Sequence, residues 1–207
     1  MLPSPQEERE KLDWDRNVEI FDIYEVIEGA KEFETIFAAE VQNMATYFVS
    51  KKGIYDTNDL IGRADELFTS DVRKILSDQS RRDICEAGRC LAFDLATAAG
   101  FHIARAVEGT LVDYLKLLCP QEFEQLKESS RNLGAYIKMA REHGGNDKVC
   151  GALDQFRDLH RNPLIHPESV LSIDEAVTLL GIAQSAIVAI VLDTVKIKNQ
   201  SLSLPLP

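Results

Sequence analysis

Residues 172–193 read SIDEAVTLLGIAQSAIVAIVLD, and this stretch decides the fold. Ser172 and Glu175 stand in the S-x-x-E arrangement of a capping box, in which each side chain reaches the other residue's backbone N–H at a helix start. From Ala176 to Leu192 no charge occurs for 17 residues, the short edge of what a membrane span requires. Gln184 and Ser185 interrupt the run, and Asp193 ends it. The preferred reading is a helix from Ile173 to about Ile197, apolar on nearly every side because it lies at the centre of a helical bundle. A membrane anchor is the lesser alternative.

Working back from that helix, punctuation marks out its neighbours. Asn162-Pro163 and His166-Pro167 force a non-helical corner, since proline lacks a backbone donor and restricts the residue before it. Ahead of the corner, Asn146 or Asp147 opens a helix ending near Arg161. Asn132 caps another that runs to Glu142 and is stopped by Gly144-Gly145. A weaker helical stretch covers residues 123–130. Ala98, Phe101, Ile103, Ala106, Val107, Leu111, Tyr114, Leu115 and Leu118 trace a long helix that Cys119-Pro120 ends. It is preceded by a helix from Asp83 to Phe93 with Ile84, Ala87, Cys90 and Leu91 on one face, and Asp94 stands between them as an N-cap. The fold class is therefore mainly α, with an antiparallel bundle of short-linked helices in the C-terminal half.

The N-terminal part reads differently. A helical run between Trp14 and Met44 carries Ile20, Ile23, Val26, Ile27 and Ala30, then Phe33, Phe37, Ala38 and Val41. Thr46-Tyr47-Phe48-Val49 and Ile54-Tyr55, separated by Lys51-Lys52-Gly53, read as a short β-hairpin or an extended crossing, with Gly53 at the turn. Asp56-Thr57-Asn58-Asp59 offers cap chemistry for a helix over 60–68. Residues 69–80 are polar with few anchors, which places a junction there. The expected organisation is an acidic N-terminal region over 1–80, a helical bundle over 81–198 and a tail over 199–207.

Composition bounds the function. The chain has 207 residues, 45% hydrophobic and 28% charged, enough for one good core. Its net charge of −11 argues against broad, nonspecific nucleic-acid binding, which rests on neutralising phosphates. The excess is local: residues 1–44 hold 4 Lys/Arg against 12 Asp/Glu. Cys85, Cys90, Cys119 and Cys150 form no C-x-x-C pair and have no zinc spacing with His102, His143 or His160. They read as reduced core residues of a cytoplasmic protein. The first twenty residues are charged throughout and offer no signal peptide. No Gly-rich phosphate loop and no carboxylate cluster for magnesium is visible, so no cofactor and no metal are expected.

One segment concentrates polar chemistry: Arg157-Asp158-Leu159-His160-Arg161-Asn162-Pro163-Leu164-Ile165-His166-Pro167. Two arginines, two histidines, an aspartate and an asparagine share a helix end and a corner stiffened by two prolines. These groups suit RNA self-cleavage, in which a 2′-OH attacks the adjacent phosphate. Histidine titrates near neutrality and can take or deliver the proton. Arginine can hold the charge that builds on the phosphorus oxygens. The same residues also fit an ordinary helix end, where cations complement the macrodipole.

Arg161-Asn162-Pro163-Leu164-Ile165-His166 matches the R-x4-H motif of the HEPN superfamily, including the polar residue that often follows the arginine. Phe101-His102-Ile103-Ala104-Arg105-Ala106-Val107-Glu108 resembles that family's first long helix, and residues 83–197 resemble bacterial HEPN-like proteins. The resemblance implies a helical bundle that forms a homodimer with the two motifs facing each other. It implies Arg161 and His166 as catalytic residues, with Asn162 beside them. It implies metal-independent endoribonuclease activity on an RNA substrate, as in toxin–antitoxin and defence systems, with an antitoxin or regulatory protein as partner; the core-helix reading of 173–197 implies no membrane partner. Some members are inactive and serve for dimerisation or protein interaction, which is the alternative reading here. The likeness does not extend into residues 1–80.

Several neighbours are supporting candidates. His102, Arg105 and Glu108 recur every three residues and so share roughly one helix face. Glu108 either holds Arg161 or orients His166, or it pairs with Arg105. His160 either lines the site or is a structural histidine. Arg157 either extends a phosphate-binding face or is a solvated helix charge. The pairs Lys51-Lys52 and Arg81-Arg82 read as solvated.

Overall fold

The computed structural model describes residues 17–44, 47, 49–158, 168 and 170–203. It divides into two compact units, Met1–Phe48 and Val49–Pro207. In the first, the described secondary structure is one helix, α1 (Ile20–Gln42). Its start is closed by a reciprocal box in which the Glu19 backbone N–H donates to Asp22 Oδ2 at 2.8 Å. No residue of α1 is buried.

The second unit is helical throughout its described secondary structure, in the order α2 (Thr57–Arg63), a 3-10 turn (Ala64–Leu67), α3 (Ser70–Arg73), α4 (Asp78–Ala92), α5 (Ala96–Leu118), α6 (Pro120–Gln125), a second 3-10 turn (Glu128–Ser130), α7 (Leu133–Glu142), α8 (Asp147–Phe156) and α9 (Ile173–Ser203). The ends follow the capping chemistry of the sequence. Asp56 accepts from the Asn58 and Asp59 N–H groups, Asn132 from Ala135, and Asn146 from Lys148. Pro120 opens α6 at a position where its missing N–H costs nothing.

Among the described residues the hairpin expected around Gly53 is not formed. Lys52 and Tyr55 make a single bridge, closed by Tyr55 N–H to the Lys52 carbonyl at 3.0 Å. Gly53 sits at φ +59 in that turn, where a side chain would be strained. Thr46 and Phe48 lie outside the described residues. The apolar pattern here marks a crossing over the bundle: Val49 and Tyr55 pack against its core.

The junction expected over 69–80 also shifts, to Phe48/Val49. Leu60, Ala64, Phe68, Val72 and Leu76 are all buried. They recur every four residues, so a chain that looked polar residue by residue still sends one anchor per turn into the core. Helix α4 begins at Asp78, five residues before the apolar pattern becomes strong. At the other end α9 continues to Ser203 and takes in most of the expected tail.

Helices α4 and α5 form the tightest pair, and α5 packs next most extensively on α9. Asp94, expected as an N-cap, instead ends α4. It takes the left-handed conformation at φ 60, its N–H donates to the Leu91 carbonyl, and Leu95 N–H donates to the Cys90 carbonyl at 2.8 Å. These two bonds make a Schellman motif, the ordinary way to satisfy the last carbonyls of a helix. The Asp94 carboxylate then accepts from Lys52 Nζ at 2.8 Å, so Lys52 is not solvated: its side chain is 5% exposed. Arg81 is likewise engaged, holding the buried Asp65 at 3.0 Å. A second Schellman motif ends α7, with Gly144 at φ +83 and Gly145 N–H bonded to the Ala140 carbonyl at 2.7 Å.

The capping box that opens α9 is complete: Ser172 N–H donates to Glu175 Oε2 at 2.8 Å and Glu175 N–H to Ser172 Oγ at 3.3 Å. The Ser172 backbone bond holds the Glu175 carboxyl below its usual range. Ala176, Leu179, Leu180, Ala183, Ile187, Ile190 and Val191 bury one broad face of α9. Each large residue among them contributes about 1.5–3 kcal/mol by leaving water. Gln184 sits beside this face, and an unpaired amide there would cost about 1–3 kcal/mol. It donates to the Leu67 carbonyl at 2.7 Å, which ties the 3-10 turn to α9. Coverage is less uniform than the composition suggested, since Thr178, Gly181, Ser185 and Leu192 are exposed. The helix is long and apolar enough to cross a membrane by length and composition, and in this fold its broad apolar face packs on protein. The four cysteines are free, and burial raises each thiol above its usual range.

The crossing of α2 over α4 depends on Gly88. A Cβ there would stand 2.4 Å from Ala64 Cβ and 2.5 Å from the Leu60 carbonyl oxygen. Gly88→Ala is therefore expected to destabilise the protein by about 1–3 kcal/mol. At Gly151, within α8, a Cβ would meet nothing within 4 Å, and Gly151→Ala should stabilise by up to about 1 kcal/mol. Urea denaturation of the two variants checks both signs.

Candidate active site

Arg161, Asn162 and His166, with His160 beside them, lie outside the described residues. What the fold defines is how the chain enters and leaves their segment. On the entry side, α8 ends at Phe156, which is fully buried, and Arg157 follows as its C-cap. Arg157 donates through Nε to Asp158 Oδ1 at 2.8 Å and through a terminal nitrogen to Asp158 Oδ2 at 3.1 Å. A second ion pair joins it to Asp154 at 3.3 Å. Two carboxylates thus take up the guanidinium, and the hydrogen bond from Arg157 holds the Asp158 carboxyl below its usual range. Arg157 is thus a helix-end charge paired with two carboxylates, its side chain 27% exposed.

On the exit side, Leu171 N–H donates to Thr97 Oγ1 at 3.1 Å, and the capping box follows at once. Thr97 lies in the first turn of α5, so the segment carrying the motif is returned to the helix that also bears His102, Arg105 and Glu108. Its entry is fixed by the buried end of α8, its exit by α5 and α9.

The three α5 candidates do not stay together. A step of three residues falls short of a full turn by about 60°, so Glu108 stands about 120° round the helix from His102. His102 and Arg105 turn toward α4. His102 Nδ1 lies 3.0 Å and Arg105 Nε 3.4 Å from the same oxygen of Asp83, whose other oxygen accepts from Gln79 Nε2 at 2.9 Å. Asp83 is 4% exposed, so its charge depends on these partners. Glu108 turns the other way, toward α7. Burial raises the Tyr136 phenol, and the charge of Glu108 raises it further. Glu108 and Thr97 are 11 residues apart, close to three full turns, and so lie on one line of α5 about 16 Å apart. Of the three, Glu108 is therefore on the flank that receives the end of the motif segment.

The sequence reading missed Asp83 as a buried polar residue and took it only as a helix start. Its signal was position: Asp83 lies four residues before Ala87, on the stripe that Ala87 and Leu91 bury. A second buried pair, Tyr114 Oη donating to Asp193 Oδ2 at 2.8 Å, fastens α5 to α9. Burial, then the bond to Asp193, pushes the Tyr114 phenol up. Beside that pair a cleft of about 280 Å³ opens among Leu76, Thr110, Tyr114, Val191 and Thr194, and none of the sequence candidates lines it. Among the described residues no group of three or more His, Cys, Asp or Glu is arranged to hold a metal ion.

In comparison with known proteins, the chain matches no protein-family model, no curated protein and no solved structure.

The Asp83 cluster predicts unequal costs. Asp83→Ala removes the one carboxylate that Gln79, His102 and Arg105 share and should cost about 1–3 kcal/mol. Arg157→Ala removes partly exposed ion pairs and should cost under about 1 kcal/mol. Equilibrium urea unfolding separates them, and a larger loss from Arg157→Ala would contradict this assignment.

Proposed function

We propose that this chain is a HEPN-like endoribonuclease that cleaves RNA without a metal, through Arg161 and His166 acting in a homodimer. The observation that supports it most is the R-x4-H motif at 161–166, set between a helix end locked by burial and a return point tied to Thr97. Preorganised polar groups work when their supports are rigid, and both supports belong to the same helical unit. In this reading His166 moves the proton between the 2′-OH, the phosphate and the leaving oxygen. Arg161 neutralises the charge that develops on phosphorus oxygens, with Asn162 as a neighbouring donor. A two-fold pair of chains supplies a second histidine, so that one acts as base and the other as acid. Glu108, on the receiving flank of α5, is a positioning residue. An acidic chain of this kind binds RNA through this local set of groups and not through a general basic surface.

A second reading, a non-catalytic dimerisation or protein-interaction module, is favoured by one observation: α1 carries large apolar side chains in water along its length. The two readings separate in one assay. Purified protein incubated with total RNA in EDTA should cleave it. Arg161→Ala and His166→Ala should each lower the rate by about 100-fold or more while the helical circular dichroism is unchanged. A folded wild type that leaves RNA intact supports the interaction module instead.

A further inference from the structure

The helix of the first unit is exposed along its length among the described residues. α1 is 23 residues long, and no residue in it is buried. Ile20, Val26 and Phe33 are 74%, 72% and 66% exposed. In proteins most of a helix's stability comes from packing its apolar face. The pattern along it is specific. Ile23, Ala30 and Phe37 repeat every seven residues, Val26 and Phe33 repeat every seven between them, and these two series are the a and d positions of a heptad. Phe33 and Phe37 already stack at 5.8 Å on this stripe. Ile20, Ile27 and Val41 flank it on one side, with Glu34 among them, and Asp22, Gly29 and Ile36 on the other. Glu25, Glu28 and Glu32 fall on the opposite face, at c and f positions.

We infer that α1 is a self-association helix whose occupant is a second copy of α1, paired along the Ile23–Ala30–Phe37 and Val26–Phe33 stripe. Two features favour a copy over a different partner. The first is charge. The helix carries six acidic residues and one lysine, yet the stripe from Ile23 to Phe37 contains no a or d charge, and its flanks pair no like charges in either strand direction. The a and d stripe from Ile23 to Phe37 is itself uncharged, and an uncharged apolar stripe is complementary to itself, as a two-fold interface must be. The second is area. Taking about 150–250 Å² for a whole large side chain, the stripe and its flanks leave on the order of 800 Å² exposed per copy, which is what one partner contributes to an interface of standard size. Glu40 is the one charged residue of α1 at a d position, and it limits the stripe at its C-terminal end. This pairing stands independently of the ribonuclease reading. Where both hold, it keeps two Val49–Pro207 units on one assembly and so raises their concentration at each other's sites.

The test is the self-association of the full chain by sedimentation velocity over about 0.5–50 µM, the range in which a standard interface is populated. The wild type should be a dimer. Val26→Glu with Phe33→Glu, which places charge on the stripe, should weaken it by about 100-fold or more. Glu25→Lys with Glu32→Lys, on the outer face, should leave it unchanged. Glu40→Leu, which extends the stripe, should tighten it by about tenfold. A monomeric wild type, or a dimer indifferent to the Val26/Phe33 pair, would overturn the inference. Loss of RNA cleavage from a protein that still dimerises in this way would count against the ribonuclease reading alone.

Discussion

The second unit depends on covering α9. Its apolar face is too long to leave in water, and α5, α8, α3 and α4 pack on it, α5 most extensively. α5 lies along it, α4 backs α5, and the 3-10 turn after α2 is tied to it by Gln184 and the Leu67 carbonyl. Because α9 must begin where the cover begins, its capping box at Ser172 and Glu175 and the bond from Leu171 to Thr97 fix one end of the motif segment. The buried Phe156 fixes the other.

Polar groups inside this fold are placed where helices meet. Asp83 joins α4 to α5 through His102 and Arg105, Tyr114 and Asp193 join α5 to α9, and Lys52 with Asp94 holds the chain before α2 to the turn after α4. Each is a buried or half-buried group with a partner on another element, so each constrains register as well as supplying energy. The two Schellman endings, at Asp94 and Gly144, do the same for chain direction.

Much of this was legible in the sequence because the signals were local. Asp56, Asn132, Asn146 and Ser172 each cap the helix that follows, and Pro120 and Gly144-Gly145 stop helices where local stereochemistry requires. The misses came from partners distant in the chain. Lys52 reads as solvated until Asp94, 42 residues on, is brought to it. Asp94 reads as a cap by residue type, while its conformation is set by the need to end α4. Val49 and Tyr55, on either side of Gly53, pack onto helices, and no strand is formed there among the described residues. His102, Arg105 and Glu108 look like one face because three is near 3.6, and the shortfall accumulates. For the site itself, the sequence supplied the motif and its chemistry. The fold adds the fixed ends, separates Glu108 from His102 and Arg105, and gives Arg157 a structural partner set.

The most direct measurement is the chemistry of the ends left on RNA by the purified protein, with a parallel substrate carrying a single 2′-deoxy sugar at the mapped cleavage position. Attack by the 2′-OH under Arg161 and His166 leaves a 2′,3′-cyclic phosphate and a 5′-hydroxyl, and the 2′-deoxy substrate stays intact. Ends bearing a 3′-hydroxyl and a 5′-phosphate, or cutting at the 2′-deoxy position, would mean that water and not the 2′-OH is the nucleophile, and would contradict the account.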